Sequence, residues 1–126
     1  MKHVKLGCGI LAVILALGLA LTACLCSLKS ELCNAMDAAA EAALTGNWAE
    51  ADTAAGEGRQ TWLRHRNFVA AVVDHELLEE ADTLFAQLEV YRRCRLSPEY
   101  AVVCRCLVRQ MEAIGESQSL KWWHLL

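Results

Sequence analysis

The chain has one proline, Pro98, in 126 residues, and it shows neither alternating apolar and polar runs nor a hairpin turn signal. A β architecture is not expected, because strands need a period of two and tight turns between them. Gly-x-Ser-x-Gly is absent, and so is a glycine loop of the kind that cradles phosphate. No motif implies a cofactor. A basic excess is also missing: 12 lysines and arginines face 15 acidic residues, for a formal charge of −3. Nucleic acid, whose phosphates need a basic face, is not an expected partner.

Charge is missing altogether between Leu6 and Leu28, in the run LGCGILAVILALGLALTACLCSL. As a helix this run reaches about 34 Å, enough to cross a hydrocarbon core of about 30 Å. A buried core helix of this length would need cover on every side, which the remaining residues cannot easily supply. Membrane lipid is therefore the expected partner of residues 6–28. Lys2 and Lys5 precede the run and point to a cytoplasmic N-terminus, with the rest of the chain outside. Beyond residue 28, ten basic and fifteen acidic residues remain.

The N-terminal segment carries two readings. It has the length of a single uncleaved span ending at Lys29. It also has a basic start, an apolar middle and Leu21-Thr22-Ala23-Cys24, which resembles a bacterial lipobox with Cys24 as the lipidated residue. The apolar residues after Cys24 favour the span. Both readings divide the chain into residues 1–28, anchor or lipoprotein-type signal, and residues 29–126, an extracytoplasmic helical domain.

Seven cysteines are present. Cys8, Cys24 and Cys26 lie in the apolar segment and behave as small apolar residues. Cys33, Cys94, Cys104 and Cys106 lie outside it, as buried thiols or, for Cys94 and a cysteine of the last helix, as one disulfide. Cys104 and Cys106 point about 200° apart on a helix, which does not suit a shared metal.

The domain reads as three or four helices. The first, over Ser30 to Leu44, puts Leu32, Met36, Ala39, Ala40, Ala43 and Leu44 on one face, either as a separate helix or as a continuation of the membrane helix. Thr45-Gly46-Asn47 breaks it, with a C′ glycine and an N-cap asparagine. The second opens at Trp48 with Ala51, Ala55 and Trp62 inward; Gly56 and Gly58 are tolerated if a neighbouring helix approaches closely. A break is predicted near Arg64-His65-Arg66-Asn67. A third helix over Phe68 to Arg92 follows, with Val69, Val73, Leu77, Ala81, Leu84, Leu88 and Tyr91 inward. Glu76, Glu79, Glu80 and Asp82 form its solvated face. Ser97-Pro98-Glu99 starts the fourth, with Ser97 as cap. Its inward residues are Tyr100, Val103, Cys104, Leu107, Met111 and Ile114, and Gly115 ends it. The tail SLKWWHLL is expected to fold back over the bundle or to meet the membrane interface.

Asn47-Trp48-Ala49-Glu50-Ala51, then Trp62, then Val73-Asp74-His75-Glu76, after a short hydrophobic N-terminal segment, resembles the uncharacterised domain-of-unknown-function family 4363 of Gram-positive bacteria. The resemblance spans nearly the whole chain and implies a membrane-anchored helical domain without an established activity. Members end in a Ser-Leu-Asn-like tail, whereas Ser119-Leu120 is followed here by Lys121. The Gly46-Asn47-Trp48 to Ala51 stretch is also similar to a tetratricopeptide-type hairpin, although no 34-residue repeat recurs.

His75 is the residue with candidate chemistry. Glu76 is adjacent and Glu79 lies one turn on, but a zincin needs His-Glu-x-x-His and the second histidine is absent. A structural role for His75 outweighs metal or catalysis. Trp48 and Trp62 read as core anchors rather than ligand platforms, and Arg92, Arg93 and Arg95 as a solvated basic run, with binding to anionic lipid or wall polymer as the lesser reading. The expectation is a non-enzymatic interaction or structural module at the outer face of a bacterial membrane, binding another envelope protein. The competing expectation is a metal-dependent or hydrolytic site around His75, Glu76 and Glu79.

Overall fold

A computed structural model describes the backbone of residues 1–125 and the side chains of residues 1–117. The fold is all helical: α1 spans Lys2–Leu44, α2 Trp48–Val72, α3 His75–Cys94 and α4 Ser97–Leu125. The apolar segment and the first domain helix are one unbroken rod of 43 residues. A division at residue 28 therefore falls inside α1. Leu25 and Leu28, assigned by sequence to the anchor, are already buried in the bundle.

The α1–α2 corner forms as its residues dictate. Gly46 takes φ +81°, and the N–H groups of Gly46 and Asn47 donate to the carbonyls of Ala43 and Ala42 at 3.1 and 2.8 Å. This is the paired closure of a Schellman motif. The Asn47 side-chain oxygen accepts from the Glu50 N–H at 3.3 Å, and its amide donates to Glu50 Oε2 at 2.8 Å. The cap and the glutamate thus satisfy each other, as in a capping box.

The corner turns α2 back along α1, and the two pack closely at Gly58. A Cβ on Gly58 would stand 2.5 Å from Met36 Cε and 3.2 Å from Ala35 Cβ, whereas one on Gly56 would meet nothing within 4 Å. Close approach thus requires glycine at one of the two positions only. Gly58→Val is expected to cost about 1–3 kcal/mol by overpacking against the buried Met36. Gly56→Ala should stabilise by about 0.5–1 kcal/mol through helix propensity and chain entropy. Chemical denaturation of the two variants would show these opposite signs, and equal effects would remove Gly58 as the close-contact point.

Leu32, Met36, Ala39, Ala40 and Ala43 of α1 meet Ala51, Ala55 and Trp62 of α2 and Tyr100, Val103, Cys104, Leu107, Met111 and Ile114 of α4 in one core. Leu44, expected inward, is exposed at the end of its helix. Leu78 and Phe85 of α3 are buried although they lie off the predicted stripe. Helix α1 lies against both α2 and α4, while α3 rests mainly on α4. The Gln110 side-chain amide donates to the Leu77 carbonyl at 2.9 Å, tying the start of α3 to α4.

Three sequence-based boundaries are corrected. Helix α2 does not break at Arg64–Asn67 but runs through Val72, and α3 starts at His75 rather than Phe68. The polar run is one outer face of a continuous helix whose inner face carries Trp62 and Val69. Its actual stop is Val73, which leaves the helix with ψ 151°. Helix α4 does not end at Gly115; it continues to Leu125. Gly115 lies within it, where a Cβ would come 3.8 Å from Lys29 Cδ. The side-chain roles expected of the SLKWWHLL tail, folding back or interface contact, lie outside the described side chains. Ser97 is the first helical residue rather than the cap, because the Leu96 carbonyl accepts the Tyr100 N–H at 2.9 Å.

Candidate functional site

Because α3 rests on α4 and only leans against α2, a cleft of about 270 Å³ opens between α2 and α3. Ala55, Phe85, Leu88 and Tyr100 provide its apolar floor, while Asp52, Arg59, Glu89 and Arg92 provide the charge around it. Trp62 backs the Phe85 of the floor: it is 1% exposed, stacks on Phe85 at 6.2 Å and donates from Nε1 to Asp82 at 2.9 Å. Arg66 forks onto the same carboxylate, with Nη2 2.7 Å from Oδ2 and Nε 3.0 Å from it. Asp82 is therefore not part of a purely solvated face. It joins α3 to a residue of α2 that the sequence reading placed in a turn. The Arg66 hydrogen bonds hold its carboxyl below the usual range, with burial opposing and Trp62 assisting.

At the other end the arginine run is solvated as expected at Arg93 and Arg95, and it is also engaged in ion pairs, with Arg92 half-buried. Arg92 binds Glu89 in bidentate fashion at 2.7 and 2.9 Å and reaches Asp52 at 3.5 Å. Arg93 adds a 3.1 Å bond to Glu89. Arg95 lies 3.9 Å from Asp52, with its guanidinium carbon 5.0 Å from the Trp48 ring centroid. Trp48 in turn meets Tyr100 edge-on at 5.2 Å. The other Asp52 oxygen, Oδ1, is shielded from solvent and has no hydrogen-bond partner among the described residues.

Arg95 occupies the left-handed region at φ 55°. This position closes α3: the Arg95 N–H donates to Arg92 O at 3.2 Å and the Leu96 N–H to Tyr91 O at 3.1 Å. Glycine is the usual residue at such a site, and an L side chain costs about 1–2 kcal/mol there. The contacts to Trp48 and Asp52 offset part of that cost, since a cation over an indole near the surface contributes about 0.5–1 kcal/mol.

The hydrogen bonds from Arg92, and less so from Arg93, hold the Glu89 carboxyl down at about 2 against the opposing effect of burial. Its folded pKa lies below the unfolded one, so its stabilisation is present above the ordinary carboxylate range and is lost as pH falls through it. Thermal melts should be flat from neutral pH to about 5 and then fall toward pH 2. Glu89→Gln should flatten that fall, and an unchanged acid limb would separate Glu89 from the effect. Burial also pushes the Tyr100 hydroxyl up, keeping it protonated and donating to the Ala51 carbonyl at 3.5 Å.

His75, Glu76 and Glu79 lie on the first turns of α3, away from the cleft. His75 Nε2 is 3.0 Å from Glu79 Oε1, with the two side chains 78% and 67% exposed. That is an ordinary i,i+4 pair on an open surface, and Glu76 is exposed beside it. Among the described residues no group of three or more His, Cys, Asp or Glu side chains converges to hold a metal. Trp62 anchors the core as expected, while Trp48 is half-buried at the start of α2. All seven cysteines are free, Cys94 being exposed and Cys104 buried. Burial pushes the Cys104 thiol up to about 12. Cys24 sits half-buried within unbroken α1.

Asp52, Arg59, Arg66 and Phe85 were not singled out from the sequence. Asp52 and Arg92 are 40 residues apart and Arg66 and Asp82 are 16 apart, so no local spacing marks them. The lone signal was a run of arginines beside a turn.

A helical bundle with one N-terminal helix long and apolar enough to cross a membrane is the class of protein that these features define. Compared with known proteins, the chain matches no protein-family model, no curated protein and no solved structure.

Proposed function

We propose that the chain is a membrane-anchored interaction module that holds a segment of another envelope protein in the α2–α3 cleft. The charge-free run and the preceding Lys2 and Lys5 support a single span with a cytoplasmic N-terminus and an external bundle. The choice of a bacterial membrane rests on the residue resemblance to family 4363 alone, since no family model matches. The observation that carries the binding role is the cleft itself. Ion pairs, rather than packed side chains, join α2 to α3 at its upper end, leaving an apolar floor beneath a charged rim. An apolar side chain of a partner fits the floor over Phe85 and Leu88.

The reading built on His75, Glu76 and Glu79 has a two-membered surface pair behind it, which is the weaker support. A photocrosslinking residue at Arg59 in native membranes tests the cleft. An adduct with one envelope protein is expected, and Gly56→Trp should abolish it by filling the cleft, since Gly56 lines it with open space around it. An adduct that persists at full yield in Gly56→Trp would reject the cleft as the binding surface.

A further inference from the structure

We infer that the base of the bundle is seated in the lipid headgroup layer, with acyl chains filling an apolar groove between α1 and Phe68. This rests on the reading of α1 as a membrane span, and it adds that the domain does not stand clear of the bilayer. The large apolar side chains of α1 are openly exposed from Leu6 through Leu19. Fourteen residues of helix cover about 21 Å, short of a hydrocarbon core of about 30 Å. Beyond Leu19 the rod is no longer free: Leu21 is half-buried, and Leu25 and Leu28 are covered by the bundle.

The missing thickness can come from either end. Extending toward the N-terminus brings Lys5 and Lys2 into hydrocarbon, where charge is strongly disfavoured. Extending the other way brings in the level of Leu21 to Leu25, and there the flanking surface is already apolar. Ile14, Leu17, Leu21 and Cys24 form a groove of about 410 Å³ with Phe68 of α2. Phe68 is 37% exposed, and no charge lies between it and Val73. Arg64 is exposed one turn above Phe68, placed to reach lipid phosphate.

Helix α4 ends at the same level. It runs antiparallel to α1, with Arg105 3.5 Å from Asp37 and Gly115 beside Lys29. Ten further helical residues to Leu125 advance its backbone by about 15 Å, toward the stretch of α1 around residue 19. The sequence of that final segment includes Trp122 and Trp123, a residue type favoured at the membrane interface. Asp74 and Glu76 are exposed where α3 begins, beyond Phe68 toward the anchor. The acyl chains therefore reach only the α1–Phe68 side of the base, and the α3 side faces headgroups or water.

Native thiols at three levels test this in full-length protein reconstituted into phosphatidylcholine–phosphatidylglycerol vesicles. Cys8 lies within the exposed apolar run, Cys26 is exposed at the base of the bundle, and Cys94 is exposed at the far end of α3. A sulfonated, membrane-impermeant maleimide should modify Cys26 at least tenfold more slowly than Cys94, with Cys8 protected. Small, lipid-soluble N-ethylmaleimide should modify Cys26. Cys26 reacting with the impermeant reagent as fast as Cys94, while Cys8 stays protected, overturns the seating and leaves the span standing. Rapid modification of Cys8 overturns both. Protection of Cys26 from both reagents means that protein rather than lipid covers that face, and also overturns the seating.

Discussion

Trp62→Ala is expected to lower the unfolding free energy of the bundle by about 3–5 kcal/mol, a large part of what a domain of this size holds. The side chain is 1% exposed, so its removal leaves a cavity walled by Phe85 and by α1 rather than a surface that can relax into water. The indole N–H also supplies one of the donors that hold Asp82 in place. Trp62→Phe separates the two contributions, since it retains most of the volume and loses the donor. It should cost about 1–2 kcal/mol, chiefly the lost hydrogen bond. Urea denaturation followed by far-ultraviolet circular dichroism measures both variants. A loss below 1 kcal/mol in Trp62→Ala would show that the α2–α3 contact adds little to cooperativity.

The second large effect is expected inside α1. Leu32→Ala should destabilise by about 2–5 kcal/mol, because Leu32 is wholly buried between α2 and α4. Leu17→Ala, on the same helix but 66% exposed, should leave bundle stability within about 0.5 kcal/mol. The contrast follows from one rod serving two solvents: its first half is open except where it nears Phe68 around Leu21, and its second half is the spine of the core. If both substitutions were equally mild, α1 would be an anchor merely attached to a bundle that folds without it.

Much of this organisation could be read from local pattern. The charge-free run, the Gly46–Asn47 corner and the inward face of α4 depend on spacing within a few turns, where helical periodicity and capping act directly. The predicted face of α1 was right except at Leu44, which the helix end leaves exposed. The reading failed where a local signal competed with packing. Arg64–Asn67 is polar enough to suggest a turn, yet Trp62 and Val69 on the inner face keep α2 helical through it. Gly115 carries a helix-ending signal, yet α4 continues past it beside Lys29. Gly56 and Gly58 look equivalent in sequence and differ in space, because only Gly58 faces the Met36 side of α1.

The candidate site was the least legible. His75 and Glu79 stood out because they are one turn apart, and they form an open surface pair. Asp52, Glu89 and Arg92 attracted little notice and line the cleft. The amino-acid order by itself determined that this chain is helical, where its apolar rod lies and how its first corner closes, since each follows from interactions a few residues long. Only the tertiary structure decided which glycine permits close packing, that the anchor and the core share one helix, and that α3 rests on α4 while touching α2 over a short stretch. Those outcomes depend on contacts between residues 16 to 40 or more apart, which are set when whole helical faces compete for the same buried surface.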